Sequence, residues 1–207
     1  MSKVVIQGNA SGTGDFSIAA PNSNTDRTLT LPDVTGNVVT TGDTSTVTEA
    51  MINGSLGKVL QVVQTTKTDT FTTQSQSFVD ITGLSVAITP SSASNKILVS
   101  YTIQVGTNGY CDIRLLRGST NIALGDAASP RTQSTTHQGG PVATASETFA
   151  IQWLDSPSTT SATTYKLQGA VPYSASYILT INRTGADYAQ SHDARTVSTI
   201  TAMEISA

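Results

Sequence analysis

Apolar and polar residues alternate along most of the chain after residue 58. The longest alternation places Ile97, Val99, Tyr101, Ile103 and Val105 between more polar neighbours. A period of two puts every second side chain on one face, so the stretch predicts a β-strand with one buried face. Similar stretches, separated by Gly, Pro, Ser and Asn, predict strands over 58–66, 77–81, 84–89, 96–105, 110–117, 120–124, 147–155, 163–171, 176–183 and 197–205. Such regularly spaced short strands predict an antiparallel β-sandwich, jelly-roll-like in type.

The first 56 residues follow a different pattern. Three strand-like pieces, 15–19, 27–31 and 37–41, are separated by Gly, Pro and Asn and offer little apolar material for a core. We expect this material to be buried against further copies of the chain, because single short strands leave edges that invite aggregation. The residues expected to be buried in this way are Phe16, Ile18, Leu29, Leu31, Val38 and Val39.

The change of pattern predicts two domains. Residues 1–56 are expected to form a β-rich segment that ends in a short connector, for which a helical turn and an ordered coil are equally open. Residues 57–207 are expected to form a β-sandwich. Of the 207 residues, 35 are Thr and 25 are Ser, a composition that suits strands and turns better than helices.

Charge and cysteine content exclude several classes of partner. The net charge is −3 and no run of Lys or Arg occurs, so we expect no nucleic-acid binding. No segment approaches the ~18 apolar residues of a membrane span, and we expect neither membrane insertion nor a secretory signal. Cys111 is the sole cysteine, which excludes an intrachain disulfide and favours folding in a reducing cytosol.

Residue patterns that carry catalysis are scarce. The residue types of a catalytic triad are present in Ser134, His137 and Asp126. The serine lacks a nucleophile-elbow motif, and no triad is predicted. Both histidines, His137 and His192, fall in predicted loops, where solvation is the ordinary role, so no metal or other cofactor is expected. Hydrolysis of glycans requires two suitably spaced carboxylates, and the acids Asp112, Asp126, Asp155, Asp187 and Asp193 lie in no aromatic-rich pattern. We therefore expect a protein that is not an enzyme.

Two long polar loops are the best candidates for a binding surface. Segments 125–146 and 185–195 are rich in small polar residues, and loops of such length within a β domain are usually functional or disordered. The predicted contacts to a receptor or glycan are Tyr110, Arg131, His137, Tyr188 and His192. Subunit contacts and solvated decoration are the alternatives for these residues.

Several segments resemble small tail-fibre and virion structural proteins of tailed bacteriophages, notably those of marine and cyanobacterial hosts. They are GKVLQVVQ (57–64), GLSVAITPSSASNKILV (83–99), RLLRGSTNIALGDA (114–127) and ITAMEISA (200–207), while TLTLPDVTGNVVTTGD (28–43) is similar to the strand-turn units of their stalks. The resemblance implies a homotrimer in which residues 1–56 form a stalk or attachment segment and residues 57–207 form a knob. It places the six apolar residues named above on the trimer axis, and it carries over no catalytic residues.

The expected function is therefore that of a phage virion structural protein, a homotrimeric short tail fibre or spike whose knob attaches to the host surface. The alternative is a capsid decoration protein or head fibre, and a polysaccharide-degrading spike is a remote third possibility. The expected partners are two further copies, other virion proteins of the tail, baseplate or capsid, and a host cell-surface glycan. The expected location is the particle surface, after assembly in the host cytoplasm.

Overall fold

A computed structural model of the chain describes residues 11–13, 24–26, 59–140, 144–191 and 193–207. The chain divides into two compact units, Met1–Asn53 and Gly54–Ala207, and all the secondary structure described below belongs to the second. The six predicted axial residues, from Phe16 to Val39, the connector and His192 lie outside the described residues. The stalk and the trimer therefore stay predictions.

The described part of the second unit is all-β, with no helix. Among these residues there is accordingly no helix long and apolar enough to cross a membrane. The strands are β1 (Val59–Lys67), β2 (Phe71–Thr73), β3 (Val79–Ile88), β4 (Lys96–Thr107), β5 (Cys111–Arg117), β6 (Thr120–Ile122), β7 (Thr136–Gln138), β8 (Ser146–Asp155), β9 (Thr163–Ala170), β10 (Leu179–Ile181) and β11 (Ser198–Ile205).

The strands form two sheets in which every pair is antiparallel. In the first sheet β4 pairs with β8 on one side and with β11 and then β10 on the other, while β1 pairs with β11 and β2 with β10. The second sheet has the order β3-β9-β5, and β6 and β7 follow one another along the free side of β5. The predicted all-β, antiparallel architecture is confirmed, and two sheets around one core agree with a sandwich.

The core lies between the two sheets. From the first sheet, the alternating residues Ile97, Val99 and Ile103 are fully buried, and they share one cluster with Leu84 and Leu167 of the second sheet. Burying one such side chain contributes roughly 1.5–3 kcal/mol. The alternation of apolar and polar residues in β4 therefore predicts correctly which face of the strand is buried.

Three local differences from the predicted strands have identifiable causes. Segments 77–81 and 84–89 form one strand, β3, because a register shift between Asp80 and Ser85 accommodates Gly83 at φ +80°. Strands β2 and β7 were not predicted, since each has three residues and too few positions to show a period. The predicted long loop 125–146 thus contains a strand.

The sandwich has two ends, which we call near and far. At the near end Val59 pairs with Ile205, which in turn pairs with Lys96, so β1 begins where β4 begins. The residues before Val59 therefore join the sandwich at the near end. At the far end β4 stops at Thr107, and its 12 residues span about 36 Å at ~3.3 Å per residue.

Candidate functional site

A groove of about 750 Å³ opens at the far end of the sandwich. Its walls come from the β4–β5 turn, the start of β5, strand β7 with the loop before it, and the β9–β10 loop. The lining residues are Tyr110, Asp112, Pro130, Arg131, Thr132, Ser134, His137, Pro172, Tyr173 and Tyr177.

The β4–β5 turn is fastened to the β9–β10 loop by one side chain. Asn108 Oδ1 accepts a hydrogen bond from the Ile178 backbone N–H at 2.8 Å, and Asn108 Nδ2 donates to the Ser176 carbonyl at 3.3 Å. Thr107 Oγ1 accepts the Gly109 N–H at 3.0 Å, which closes the turn. Asparagine suits this position because its amide both donates and accepts.

Gly109 makes room for an aromatic wall of the groove. A Cβ built on this glycine would lie 2.3–2.5 Å from three ring carbons of Tyr177, closer than real side chains approach. The Tyr177 ring therefore packs directly on the backbone of the turn. Any larger residue at position 109 must displace it.

Three tyrosines form a continuous aromatic surface. The ring centroid of Tyr110 lies 5.6 Å from that of Tyr173 and 5.8 Å from that of Tyr177, both tilted, while Tyr173 and Tyr177 stack at 5.8 Å with 14° between their planes. Tyr173 is 75% exposed and Tyr110 40%. Exposed aromatic clusters of this kind are uncommon on surfaces without a binding role.

A histidine and a buried carboxylate extend the surface. Asp112 of β5 and His137 of β7 are opposed in register, and His137 Nδ1 lies 3.1 Å from Asp112 Oδ1. Asp112 is buried, whereas His137 is exposed and stacks on Tyr110 with 17° between the planes and 6.2 Å between centroids. The carboxylate thus orients the imidazole as a fourth flat ring.

The loop before β7 is held against β5 by its own polar groups. Arg114 Nε donates to the Gln133 carbonyl at 2.9 Å, and Thr135 N–H donates to the Ile113 carbonyl at 2.8 Å. These bonds fix the base of the segment that carries Arg131. Within the described part of the chain no carboxylate pairs with the Arg131 guanidinium, which is exposed at the groove.

Two titratable groups on the strands under the groove belong to the core and take no part in surface chemistry. Burial raises the pKa of the Cys111 thiol to about 12, and the neighbouring Asp112 charge adds to the shift. Burial also raises the pKa of Tyr101 to about 12, against a weaker opposing effect of its contact with Thr136. At neutral pH both groups stay protonated.

The arrangement is suited to binding a carbohydrate. A sugar ring offers a face of C–H groups bordered by hydroxyls, which matches flat aromatic rings flanked by charged and amphoteric side chains. Asp112 is the one carboxylate among the described residues that line the groove, and it contacts His137. Among the residues that the structure describes, no three His, Cys, Asp or Glu side chains group as a metal site.

The structure brings three of the five predicted contact residues together: Tyr110, Arg131 and His137 line one groove. Tyr188 is 60% exposed but does not line the groove. His192 lies outside the described residues.

Sequence reasoning missed two of the three tyrosines in the groove and the acid that contacts His137. Tyr173 and Tyr177 belong to the segment VPYSASY, where two tyrosines among small residues after a proline were a usable sign of an exposed loop. The acid that contacts His137 is Asp112, which no local sequence pattern linked to this histidine.

No protein-family model matches the sequence, and no curated protein matches it significantly. The function proposed below therefore depends on the groove and on the resemblance described above.

Proposed function

We propose that the chain is a virion structural protein of a tailed bacteriophage, a homotrimeric short tail fibre or spike whose knob binds a host cell-surface glycan through the tyrosine-lined groove. In this proposal residues 1–56 form the stalk or attachment segment. The chain works by binding, without catalysis and without a cofactor, and it acts on the outside of the particle.

The observation that carries the proposal is the position of the groove. The leading residues join the sandwich at the near end, at Val59, whereas Tyr110 and Tyr173 lie at the far end, beyond Thr107. A fibre knob requires this polarity, because one end is fixed to the particle and the other meets the cell. This position of the aromatic surface supports a receptor-binding role.

The strand order supports the same proposal. The orders β1-β11-β4-β8 and β3-β9-β5-β6 are those of an eight-stranded jelly roll, an architecture that recurs in viral capsid and lectin domains. This architecture agrees with a virion or carbohydrate-binding role. Because one fold serves many functions, the proposal depends on the groove and not on the fold.

The composition of the groove favours binding over cleavage. Glycosidases place two carboxyl groups roughly 5–9.5 Å apart across the scissile bond. The described residues that line this groove contribute one, Asp112, already in contact with His137. The remaining polar groups, among them Arg131, suit hydrogen bonding to hydroxyl or carboxylate groups of a bound sugar.

A binding measurement on the purified full chain tests the proposal. Oligosaccharides released from host capsule and lipopolysaccharide are titrated by calorimetry against the wild type and Tyr173→Ala. Tyr188→Ala is the matched control, since Tyr188 is similarly exposed but lies outside the groove. We expect Tyr173→Ala to weaken binding about tenfold or more and Tyr188→Ala to leave it unchanged.

Two outcomes would contradict the proposal. Wild-type chain that binds none of the host glycans would remove the receptor role and favour the capsid-decoration alternative. Shortening of the oligosaccharides during incubation would show a polysaccharide-degrading spike instead.

A further inference from the structure

The outer face of the first sheet carries a row of four apolar residues. Val62 of β1 pairs with Met203 of β11, Met203 pairs with Leu98 of β4, and Leu98 pairs with Leu154 of β8. They alternate with residues that pack against the core, such as Val63 of β1, Ala202 of β11 and Ile97 of β4, and so point away from it. Val62 is 57% exposed and Leu154 is 55% exposed.

The next two rows of this face are uncharged and mostly polar. Moving toward the far end, one row consists of Gln64, Thr201, Ser100 and Gln152, and the following row consists of Thr66, Thr199, Thr102 and Ala150. The apolar row and these two rows contain no ionisable side chain. We call the three rows together the uncharged face.

The outer face of the second sheet is different. Asp80, Lys166 and Arg114 stand on it, with a Lys166–Asp80 ion pair of 2.8 Å and Arg114 over the ring of Phe78. In a chain with 12% charged residues, the two outer faces thus differ sharply in charge. Charged residues are depleted from the centres of protein interfaces, so the uncharged face has the character of an interface.

We propose that the uncharged face is the surface through which copies of this chain pack together in the trimer. The inference rests on the proposed homotrimer and adds the face that forms it. With this face turned toward a threefold axis, the β1 edge of one copy lies beside the β8 edge of the next. Val62 and Leu154, the most exposed members of the row, sit on these two edges, as a closed head-to-tail ring requires.

The small area and the attachment of the chain together favour a second copy that is tethered to the first. Three rows spaced two residues apart cover about 20 Å along four strands ~4.8 Å apart, on the order of 400 Å² per copy, which is below the ~800 Å² per partner of a standard interface between separate proteins. The apolar row lies at the near end, close to Val59, where the leading residues join. Copies joined through their leading segments meet at a high effective concentration, which a modest interface can use.

Thiol labelling of the full chain tests which face is covered. The native Cys111 is 0% exposed, so a cysteine introduced on the surface is the reactive one. Gln152→Cys places it on the uncharged face, and Ala87→Cys is the matched control on the outer face of the second sheet, both at exposed positions. Maleimide labelling rates are compared while light scattering reports the mass.

We expect a mass of about three chains of 21.5 kDa and labelling of Gln152→Cys at least about tenfold slower than Ala87→Cys. A trimer in which both cysteines label equally fast would overturn this inference and leave the proposed function intact. A single-chain mass would overturn the trimer itself. Protection of position 152 in a single chain would show that the leading residues cover the face, and would also overturn the inference.

Discussion

Glu204 holds the near end of the sandwich together, and its replacement by glutamine is the sharpest test of the fold. The side chain is 1% exposed in β11 and accepts four hydrogen bonds. Oε1 accepts the Ser91 N–H at 2.7 Å, the Ser91 hydroxyl at 2.7 Å and Asn95 Nδ2 at 2.6 Å, while Oε2 accepts Gln61 Nε2 at 2.7 Å. One carboxylate thus ties β11 to β1 and to the β3–β4 loop.

The magnitude follows from the pKa of Glu204. Burial acts to raise this pKa, but the hydrogen bonds from Asn95, Gln61 and Ser91 together outweigh it and lower the pKa from 4.5 to about 2. A group whose pKa falls on folding stabilises the native state above its unfolded pKa and loses that contribution as the pH falls. The contribution is therefore complete above pH 4.5 and disappears toward pH 2, and it amounts to roughly 3 kcal/mol.

Glu204→Gln removes the charge and leaves one oxygen in place of two, so at least one buried donor loses its acceptor. We expect the free energy of unfolding to fall by about 2–4 kcal/mol at pH 7, with the difference from wild type shrinking as the pH approaches 2. Urea unfolding followed by fluorescence of Trp153, the one tryptophan, measures it at fixed protein concentration.

The control for this measurement is Asp80→Asn, which removes a half-exposed carboxylate paired with Lys166. We expect it to cost under about 1 kcal/mol at any pH. A loss of unfolding free energy in Glu204→Gln that is the same at pH 7 and pH 2.5, or absent at pH 7, would show that the hydrogen bonds to this carboxylate do not stabilise the fold as described.

Three further predictions concern the groove and the core. Gly109→Ala should displace the Tyr177 ring and cost about 1–3 kcal/mol in thermal unfolding, with weaker glycan binding; a wild-type melting curve would contradict the packing described. The Cys111 thiol should resist maleimide at pH 8 until the chain is unfolded in urea, because burial raises its pKa to about 12; fast native labelling would show that the core opens. Arg117→Met should cost about 2–4 kcal/mol, since it leaves the buried Asp155 carboxylate, held by Arg117 at 2.9 Å, without its cation; an unchanged urea midpoint would refute this.

The strands were largely predictable because their burial is one-sided. Ile97 to Val105 alternate without interruption, and the structure buries those positions of β4. The bulge at Gly83 was not predictable in detail, since a glycine between two alternating segments reads equally well as a turn or as an irregular strand.

The groove was predictable only in part. Tyr110, Arg131 and His137 were predicted as separate loop residues. They line one groove because β7 pairs with β5, and a strand of three residues is too short to be predicted from its sequence pattern. Tyr177 was assigned by its alternation with Leu179 to a strand, whereas β10 begins at Leu179 and Tyr177 belongs to the loop. The local sequence pattern predicts the strands. The groove depends on which loops the sheet topology brings together, and this is not visible in a local pattern.

Locating the chain in a reconstruction of the intact virus particle is the decisive measurement for the proposed role as a virion protein. We expect three copies around a threefold axis on the particle surface, with Val59 directed toward the particle and Tyr173 at the outermost tip. Density that places Tyr173 against the shell or tail, or the chain inside the particle, would contradict it.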